Sequence, residues 1–257
     1  MAALGTSLYA DWKITTVVSQ PGTRSVRTEY FKNGQTRTDI HDGPNGELRA
    51  VSVIDSKSLR QIIWEMQARA YMVRRLHRTF TGTAGPVIII EIETKDTGER
   101  RTMFGGTARH VIVEERPHTN ANGDATQFES RRDGWYIDSE SLPPEKRGGA
   151  IAVLVAGNER PLVKVNRKGP AENGLVLWEK ITSIHAGPDG QREITETTSE
   201  VTELFEGHLD NALFTPPPGF QRVISLSRDS ALPWGEQVRL DWQWFEDSVS
   251  NLFSKSF

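Results

Sequence analysis

From Leu8 to about Phe220, apolar and polar residues alternate with a period of two, and turn signals recur between the alternating runs. This alternation predicts half-buried β-strands, because successive side chains of a strand point to opposite faces. In "RTEYFKNGQTRTDI", Asn33-Gly34 predicts a two-residue type I′ turn, since both central residues of that turn need a positive φ. The chain is therefore expected to begin as a β-meander.

The segment "ELRAVSVIDSKSLRQIIWEM" continues this meander. Its apolar residues predict two short strands around the polar turn at 55–58, and "RAYMVRRL" predicts a third. A longer strand is predicted in "GPVIIIEIETKDTGERR", where Ile88, Ile90 and Ile92 fall on one face and Glu91 faces water. We interpret residues 96–99 as the turn that follows it and "ARHVIVEE" as the next strand.

The later part of the chain predicts further strands. "TQFESRRDGWYID", "GLVLWEKITSIHA" and "REITETTSEVTELFE" each carry a β pattern, and a proline-rich turn in "HLDNALFTPPPGFQRV" closes the β region. Residues 139–172 differ, because Pro-Pro, Gly-Gly and a small apolar run predict a short helix or an irregular covering loop.

The tail, residues 224–257, changes to a helical period. Its apolar residues lie on one helix face: Trp234, Val238, Trp242, Phe245, Val249 and Leu252. We expect an amphipathic helix that packs on this protein's own sheet, the usual fate of such a face. A partner-binding or membrane-surface helix is the alternative. The acidic middle of the tail disfavours an anionic membrane surface.

Composition narrows the functional classes. The formal net charge of -3 disfavours a nucleic-acid binder, and the absence of cysteine excludes thiol catalysis and cysteine-ligated zinc in this chain. No run approaches the roughly 18 apolar residues of a membrane helix. The N-terminus lacks the basic and apolar regions of a signal peptide. If the protein is exported, we expect the export segment or membrane anchor to lie outside this chain.

The search for chemistry centres on "TKDTGERRTMFGGTARHVIVEE", residues 94–115. Its Gly105-Gly106 lacks the lysine and the helix of a phosphate loop, so we predict a tight turn or a bulge. Arg109 and His110 then lie on opposite faces of a strand. No two histidines have zinc spacing, and we predict neither a metal nor a cofactor. A hydrolase would need His110 to meet a carboxylate in a cleft.

Several of these segments together resemble a known family. "ETKDTGERRTMFGGTARHVIVEE", "DGWYID" and "EVTELFEGHLDNALFTPPPGFQRV" are similar to the LolA/LolB-like, lipoprotein-sorting (outer-membrane lipoprotein carrier) superfamily, especially to acidobacterial-type exported members. The early "VSVIDSKSLRQIIWEMQARAYMV" fits the same order of elements. The resemblance covers about residues 8–223 as an order of elements. The loop at 139–172, the tryptophan-rich tail and the absence of a lipobox cysteine depart from the family pattern.

The resemblance implies a mainly β fold in residues 1–223. This would be a strongly curved antiparallel sheet or half-barrel whose concave side is covered by helices. In addition to the family pattern, we expect 139–172 to be an irregular covering loop or lid. It also implies an apolar cavity for a lipid or acyl chain, no catalytic residue and no cofactor. Some relatives are periplasmic sensors that restrain partners. We therefore expect a periplasmic or envelope-associated protein.

These considerations predict a non-enzymatic envelope protein that binds a lipid or acyl chain in the concave face of its sheet. The candidate cavity residues are aromatic: Trp12, Trp64, Tyr71, Phe104, Trp135 and Trp178. The simpler alternative for each one is an ordinary core position. A sensor or protein-interaction domain with an envelope protein partner is the alternative function, and an unrecognised hydrolase is a third.

Overall fold

A computed structural model describes residues 10–41, 46–76, 84–119, 128–138, 142, 160–170, 174–186, 191–224 and 226. Within these ranges the chain forms thirteen strands. Their bounds are β1 Trp12–Gln20, β2 Thr23–Lys32, β3 Gln35–His41, β4 Leu48–Asp55, β5 Arg60–Glu65, β6 Ala70–Arg75, β7 Ala84–Met103, β8 Gly106–Thr119, β9 Phe128–Ile137, β10 Arg160–Lys168, β11 Leu175–Ala186, β12 Arg192–Glu206 and β13 Gln221–Arg222.

All thirteen strands belong to one sheet, in the order β10-β7-β8-β9-β11-β12-β1-β2-β3-β4-β5-β6-β13. Two antiparallel meanders meet where β12 pairs with β1. The edge strands β10 and β13 pair in parallel with β7 and β6. The sheet is curved. It is not closed, because its two edge strands, β10 and β13, do not pair with each other. The prediction of a mainly β fold built on one curved, largely antiparallel sheet is confirmed.

The predicted hairpin turns form for the expected reasons. Asn33 and Gly34 have φ values of 53° and 81°, as a type I′ turn requires. In the turn after β4, the Asp55 carboxylate accepts the backbone N–H groups of Lys57 at 2.9 Å and Ser58 at 3.1 Å. This local bonding is why aspartate favours turns.

The prediction that residues 96–99 end a strand is wrong. Strand β7 runs through them, and its register with β8 shifts there, so that Asp96 pairs with Val111 while Arg100 pairs with Arg109. The Asp96 carboxylate accepts the Gly98 N–H at 2.9 Å and forms an ion pair with Arg100 at 2.8 Å. The hydrogen bonds of Asp96 therefore form a bulge instead of a chain-reversing turn, and β7 resumes its pairing with β8 at Arg100.

The turn near Gly105-Gly106 is shifted by one residue. Phe104 and Gly105 are the turn residues, with φ values of 49° and 77°, and Gly106 begins β8 opposite Met103. A Cβ at Gly106 would lie 2.2 Å from Cδ1 of Ile137, so a larger residue there would require the Ile137 side chain to shift.

Three apolar clusters stabilise the sheet. The central cluster joins five strands, and its buried residues are Trp12, Ile14, Phe31, Ala108, Leu175, Leu177 and Val201, with Leu142 beside them. The second cluster holds Ile90, Ile92, Val111, Val113 and Tyr136. The third cluster holds Val51, Val53, Trp64, Leu209 and Phe214. Ala108 and Val111 are three residues apart on β8, so their side chains point to opposite faces of the sheet. Since they belong to different clusters, both faces of the sheet carry core residues.

The segment after β12 covers the third cluster. It contains a 3₁₀ helix, Asn211–Phe214, whose N-terminus is capped by Asp210. Lys32 forms an ion pair with Asp11 at 3.1 Å and donates to the Leu209 carbonyl, and the Arg37 guanidinium donates to the Leu213 carbonyl at 2.7 Å. The strand scaffold therefore holds this segment by buried cations as well as by apolar contact.

The expectation of covering helices is not met in the described ranges, where this 3₁₀ helix is the one helical element. The amphipathic tail predicted at 224–257 lies outside them, apart from Ile224 and Leu226. Of the segment 139–172, residues 160–168 form β10 rather than an irregular loop, and Leu142 is buried in the central cluster. Residues 139–141, 143–159 and 171–172 lie outside the described part. No helix within that part is long and apolar enough to cross a membrane.

Candidate functional site

An aromatic row crosses three neighbouring strands. His110 of β8 pairs in register with Trp135 of β9, which pairs with Trp178 of β11. The rings of His110 and Trp135 are stacked, with centroids 4.9 Å apart and planes at 29°. We call these three residues the aromatic row. Cross-strand aromatic neighbours of this kind interact favourably.

A bulge in β11 places Trp178 in this row. The register with β9 shifts between Val176 and Trp178, so Leu177 is the extra residue opposite Trp135. Leu177 is fully buried in the central cluster, whereas Trp178 is half-buried. Trp135 also packs against the central cluster. Apolar surface therefore continues from the core out to Trp178.

A cavity of about 290 Å³ lies beside the row, lined by Arg131, Asp133, Trp178, Lys180 and Thr182. Its walls are two adjacent strands, since Asp133 pairs with Lys180 and Arg131 pairs with Thr182. We call this the row cavity. One indole supplies its apolar wall, and the other four side chains offer hydrogen bonds and charge.

The charged residues of the row cavity have partners in the sheet. Nζ of Lys180 lies 2.7 Å from Oε1 of Glu196, and Nη1 of Arg131 lies 3.8 Å from Oε1 of Glu114. All four of these side chains are at least one-third exposed. Exposed pairs of this kind contribute little, so a ligand can exchange with them at low cost.

His110 is held through both ring nitrogens. Nε2 lies 2.7 Å from Oδ1 of Asp133, and Nδ1 lies 3.0 Å from Oγ1 of Thr97. Thr97 reaches the ring because it lies in the bulge of β7, where its hydroxyl also accepts the Glu99 N–H at 3.3 Å. The His110 side chain is 14% exposed. The histidine thus meets the carboxylate that the hydrolase hypothesis required, next to a cavity.

Two arginines flank the row on opposite faces. The guanidinium carbon of Arg101 lies 4.8 Å from the Trp135 ring centroid, in a cation–π contact. Arg109 forms an ion pair with Asp138 at 2.7 Å and lies over the Tyr136 ring. The predicted alternation of Arg109 and His110 is confirmed.

The six aromatic candidates do not share one cavity. Two of them, Trp135 and Trp178, are neighbours in the aromatic row. The other four lie elsewhere: Trp12 in the central cluster, Trp64 and Tyr71 in or against the third cluster, and Phe104, 45% exposed, in the β7–β8 turn. Trp135 and Trp178 are therefore the two candidates that the structure brings together.

The polar residues of the site were missed by sequence reasoning. A signal for them exists, because Arg131 and Asp133 alternate with Trp135, while Lys180 and Thr182 alternate with Trp178. Joining the two sets required the pairing of β9 with β11, and 37 residues separate Ile137 from Leu175. No local pattern encodes that pairing.

Across the ranges the structure describes, no group of three or more His, Asp or Glu side chains is arranged to hold a metal ion. The sequence matches no protein-family model, and no curated protein matches it.

Proposed function

We propose that this chain is a non-enzymatic binding domain for an amphiphilic ligand, such as a lipid or another molecule with an acyl chain. The carrying observation is the pairing of Trp135 with Trp178 beside a cavity whose other walls are charged or polar. In this proposal the apolar chain packs along the aromatic row, and the polar head enters the row cavity.

The binding of the apolar chain is supported by an apolar surface that continues from the central cluster to the row cavity. Trp178 is half-buried at the cavity, Trp135 connects it to the central cluster, and Leu177 behind them is fully buried. Indole rings supply large contact areas at a small entropic cost, and apolar burial contributes about 25 cal/mol per Å². A chain placed here extends an existing apolar surface.

The polar part rests on the charges of the row cavity. The lining holds two cations, Arg131 and Lys180, and one carboxylate, Asp133, which bonds to His110. Both cations are in exposed pairs, with Glu114 and Glu196, that an anionic group can replace at low cost. This balance favours an anionic or zwitterionic head group. The volume of about 290 Å³ is near the lower end of ligand pockets, about 300 Å³, which fits a head group better than a whole lipid.

The Thr97–His110–Asp133 arrangement favours a hydrolase as the second candidate. A nucleophile, a histidine and a carboxylate in hydrogen-bond order are the parts of a catalytic triad. We propose a structural role instead, because the Thr97 oxygen accepts the Glu99 N–H and so helps to close the bulge. The two roles are distinguished by the rate at which the protein hydrolyses p-nitrophenyl butyrate. We expect the rate with protein to equal the rate without it. Turnover that disappears in His110→Gln would favour the hydrolase.

Binding can be tested by titrating the protein with a fluorescent fatty acid. Trp178→Ala is expected to weaken binding about tenfold, the loss that corresponds to about 1.4 kcal/mol. Phe104→Ala is the matched control, because it removes an exposed aromatic ring remote from the row cavity. Equal weakening by both variants, or the absence of binding to the unaltered protein, contradicts the proposal. An unliganded protein would point to the sensor or interaction alternative.

A further inference from the structure

A second cavity, of about 470 Å³, lies near the far edge of the sheet. It is lined by Arg60, Ile62, Val73, Arg74, Arg75 and Arg222. We propose that it binds the phosphate group of a ligand through Arg60, Arg75 and Arg222. We call it the arginine cavity. It lies on β5, β6 and β13, whereas the row cavity lies on β9 and β11, so this inference does not rest on the proposed function.

The sheet register forces two of these arginines together. Arg60 and Arg75 are directly opposite each other in the antiparallel β5–β6 pair. The hydrogen bond from the Leu76 N–H to the Leu59 carbonyl, 2.8 Å, continues this pairing beyond them. Like charges directly opposite in a ladder are destabilising. A bound anion between them would remove that repulsion.

The third arginine is brought in by the short strand β13. Arg222 pairs in parallel register with Tyr71, on the same side of β6 as Val73 and Arg75. The strand is fixed by bonds from the Gln221 N–H to the Arg69 carbonyl at 2.9 Å and from the Val223 N–H to the Tyr71 carbonyl at 2.8 Å. Three strands therefore each supply one of these three arginines to the cavity.

The described residues offer these three arginines no ion-pair partner. The acid next to Arg60 in the register is Asp55, across the β4–β5 pair. Its carboxylate is engaged by its own turn, where it accepts the Ser58 hydroxyl at 2.7 Å and two backbone N–H groups. Arg74 is different, because its guanidinium donates to the Gln61 side-chain oxygen.

The chemistry of the cavity favours phosphate. Guanidinium groups bind phosphate oxygens in bidentate, charge-assisted pairs. Three such groups match the three terminal oxygens of a phosphate better than the two oxygens of a carboxylate. Ile62 and Val73 lie between Arg60 and Arg75 on one side and Arg222 on the other, so the floor is apolar. The ligand class is thus a phosphate ester, whether soluble or the head group of a lipid.

The test is calorimetric titration with inorganic phosphate. We expect binding to weaken at least tenfold in the double variant R60Q/R75Q. The control double variant R24Q/R192Q removes two exposed strand arginines outside the cavity, and it should bind within about twofold of the unaltered protein, since surface charges act weakly at a distance. Without phosphate, R60Q/R75Q should melt no lower than the control, because it relieves repulsion.

A vesicle-binding experiment distinguishes a soluble phosphate ester from a lipid head group. Vesicles of phosphatidylcholine with and without phosphatidic acid are sedimented with each variant. Vesicle binding that needs Arg60 and Arg75 assigns a lipid head group, and binding of inorganic phosphate alone assigns a soluble ester. The proposal is overturned if the unaltered protein binds neither probe. It is also overturned if R24Q/R192Q loses as much binding as R60Q/R75Q.

Discussion

Among single residues, Asp96 stabilises the bulge at which the pairing of β7 with β8 changes register. Its carboxylate accepts the Gly98 N–H and pairs with Arg100, and this shapes the bulge that presents Thr97 to His110. The hydrogen bond from Arg100 holds the pKa of Asp96 below its ordinary value, with a further contribution from Gly98. The bulge is therefore coupled to the charge of one half-buried carboxylate.

This coupling predicts a pH dependence of the bulge. Because the folded pKa of Asp96 is lowered, its contribution to stability is complete above the ordinary aspartate pKa of about 3.9 and is lost as the pH falls through the folded value. We expect the amide signals of Thr97 and Gly98 to shift between pH 4 and lower pH in nuclear magnetic resonance spectra. The Asp96→Asn variant should not show this transition. An unchanged titration in that variant would contradict the coupling.

Gly106 is a second residue whose identity is fixed by its surroundings. Gly106→Ala should lower the free energy of unfolding by about 1–3 kcal/mol, because its Cβ would overlap the Ile137 side chain. Gly22→Ala is a useful comparison, since Gly22 has a φ of 77° and open space around its Cβ position, so only backbone strain of about 1–2 kcal/mol applies. Urea unfolding measures both. A neutral Gly106→Ala variant would show that Ile137 moves freely.

At the scale of elements, the sequence predicted what is local and missed what is not. Period-two alternation predicted strands β2–β6 correctly, and the turn signals at 33–34 and 55–58 predicted two of their hairpins. Residues 96–99 were predicted to be a turn because an aspartate side chain that accepts a backbone N–H two residues later occurs both in turns and in bulges. The parallel pairing of β10 with β7 also escaped prediction, since its partners lie far apart along the chain.

The segment after β12 contributes Leu209 and Phe214 to the third cluster. Phe214 of the 3₁₀ helix is 3% exposed in the third cluster, so Phe214→Ala should lower the free energy of unfolding by about 3–5 kcal/mol. Phe205→Ala is the control, because Phe205 is 45% exposed, and a change within about 0.5 kcal/mol is expected. Chemical denaturation compares the two. Similar small losses would mean that the segment does not contribute to the core.

At the scale of the whole molecule, one sheet carries two chemically different cavities. The row cavity combines an indole with mixed charges, and the arginine cavity presents three arginines without a partner among the described residues. The candidate site was half predictable. The tryptophans stood out by residue type, whereas Asp133 and Lys180 became site residues only through the pairing of β9 with β11.

Trp178 and its neighbours are proposed to bind an amphiphile. The most direct test is native mass spectrometry of the unaltered protein and of Trp178→Ala after exposure to phospholipid and fatty acid, followed by lipid extraction. We predict an adduct on the unaltered protein that is released on denaturation and is strongly reduced in Trp178→Ala. An unaltered protein that has the mass of the bare chain and takes up neither lipid would contradict the claim.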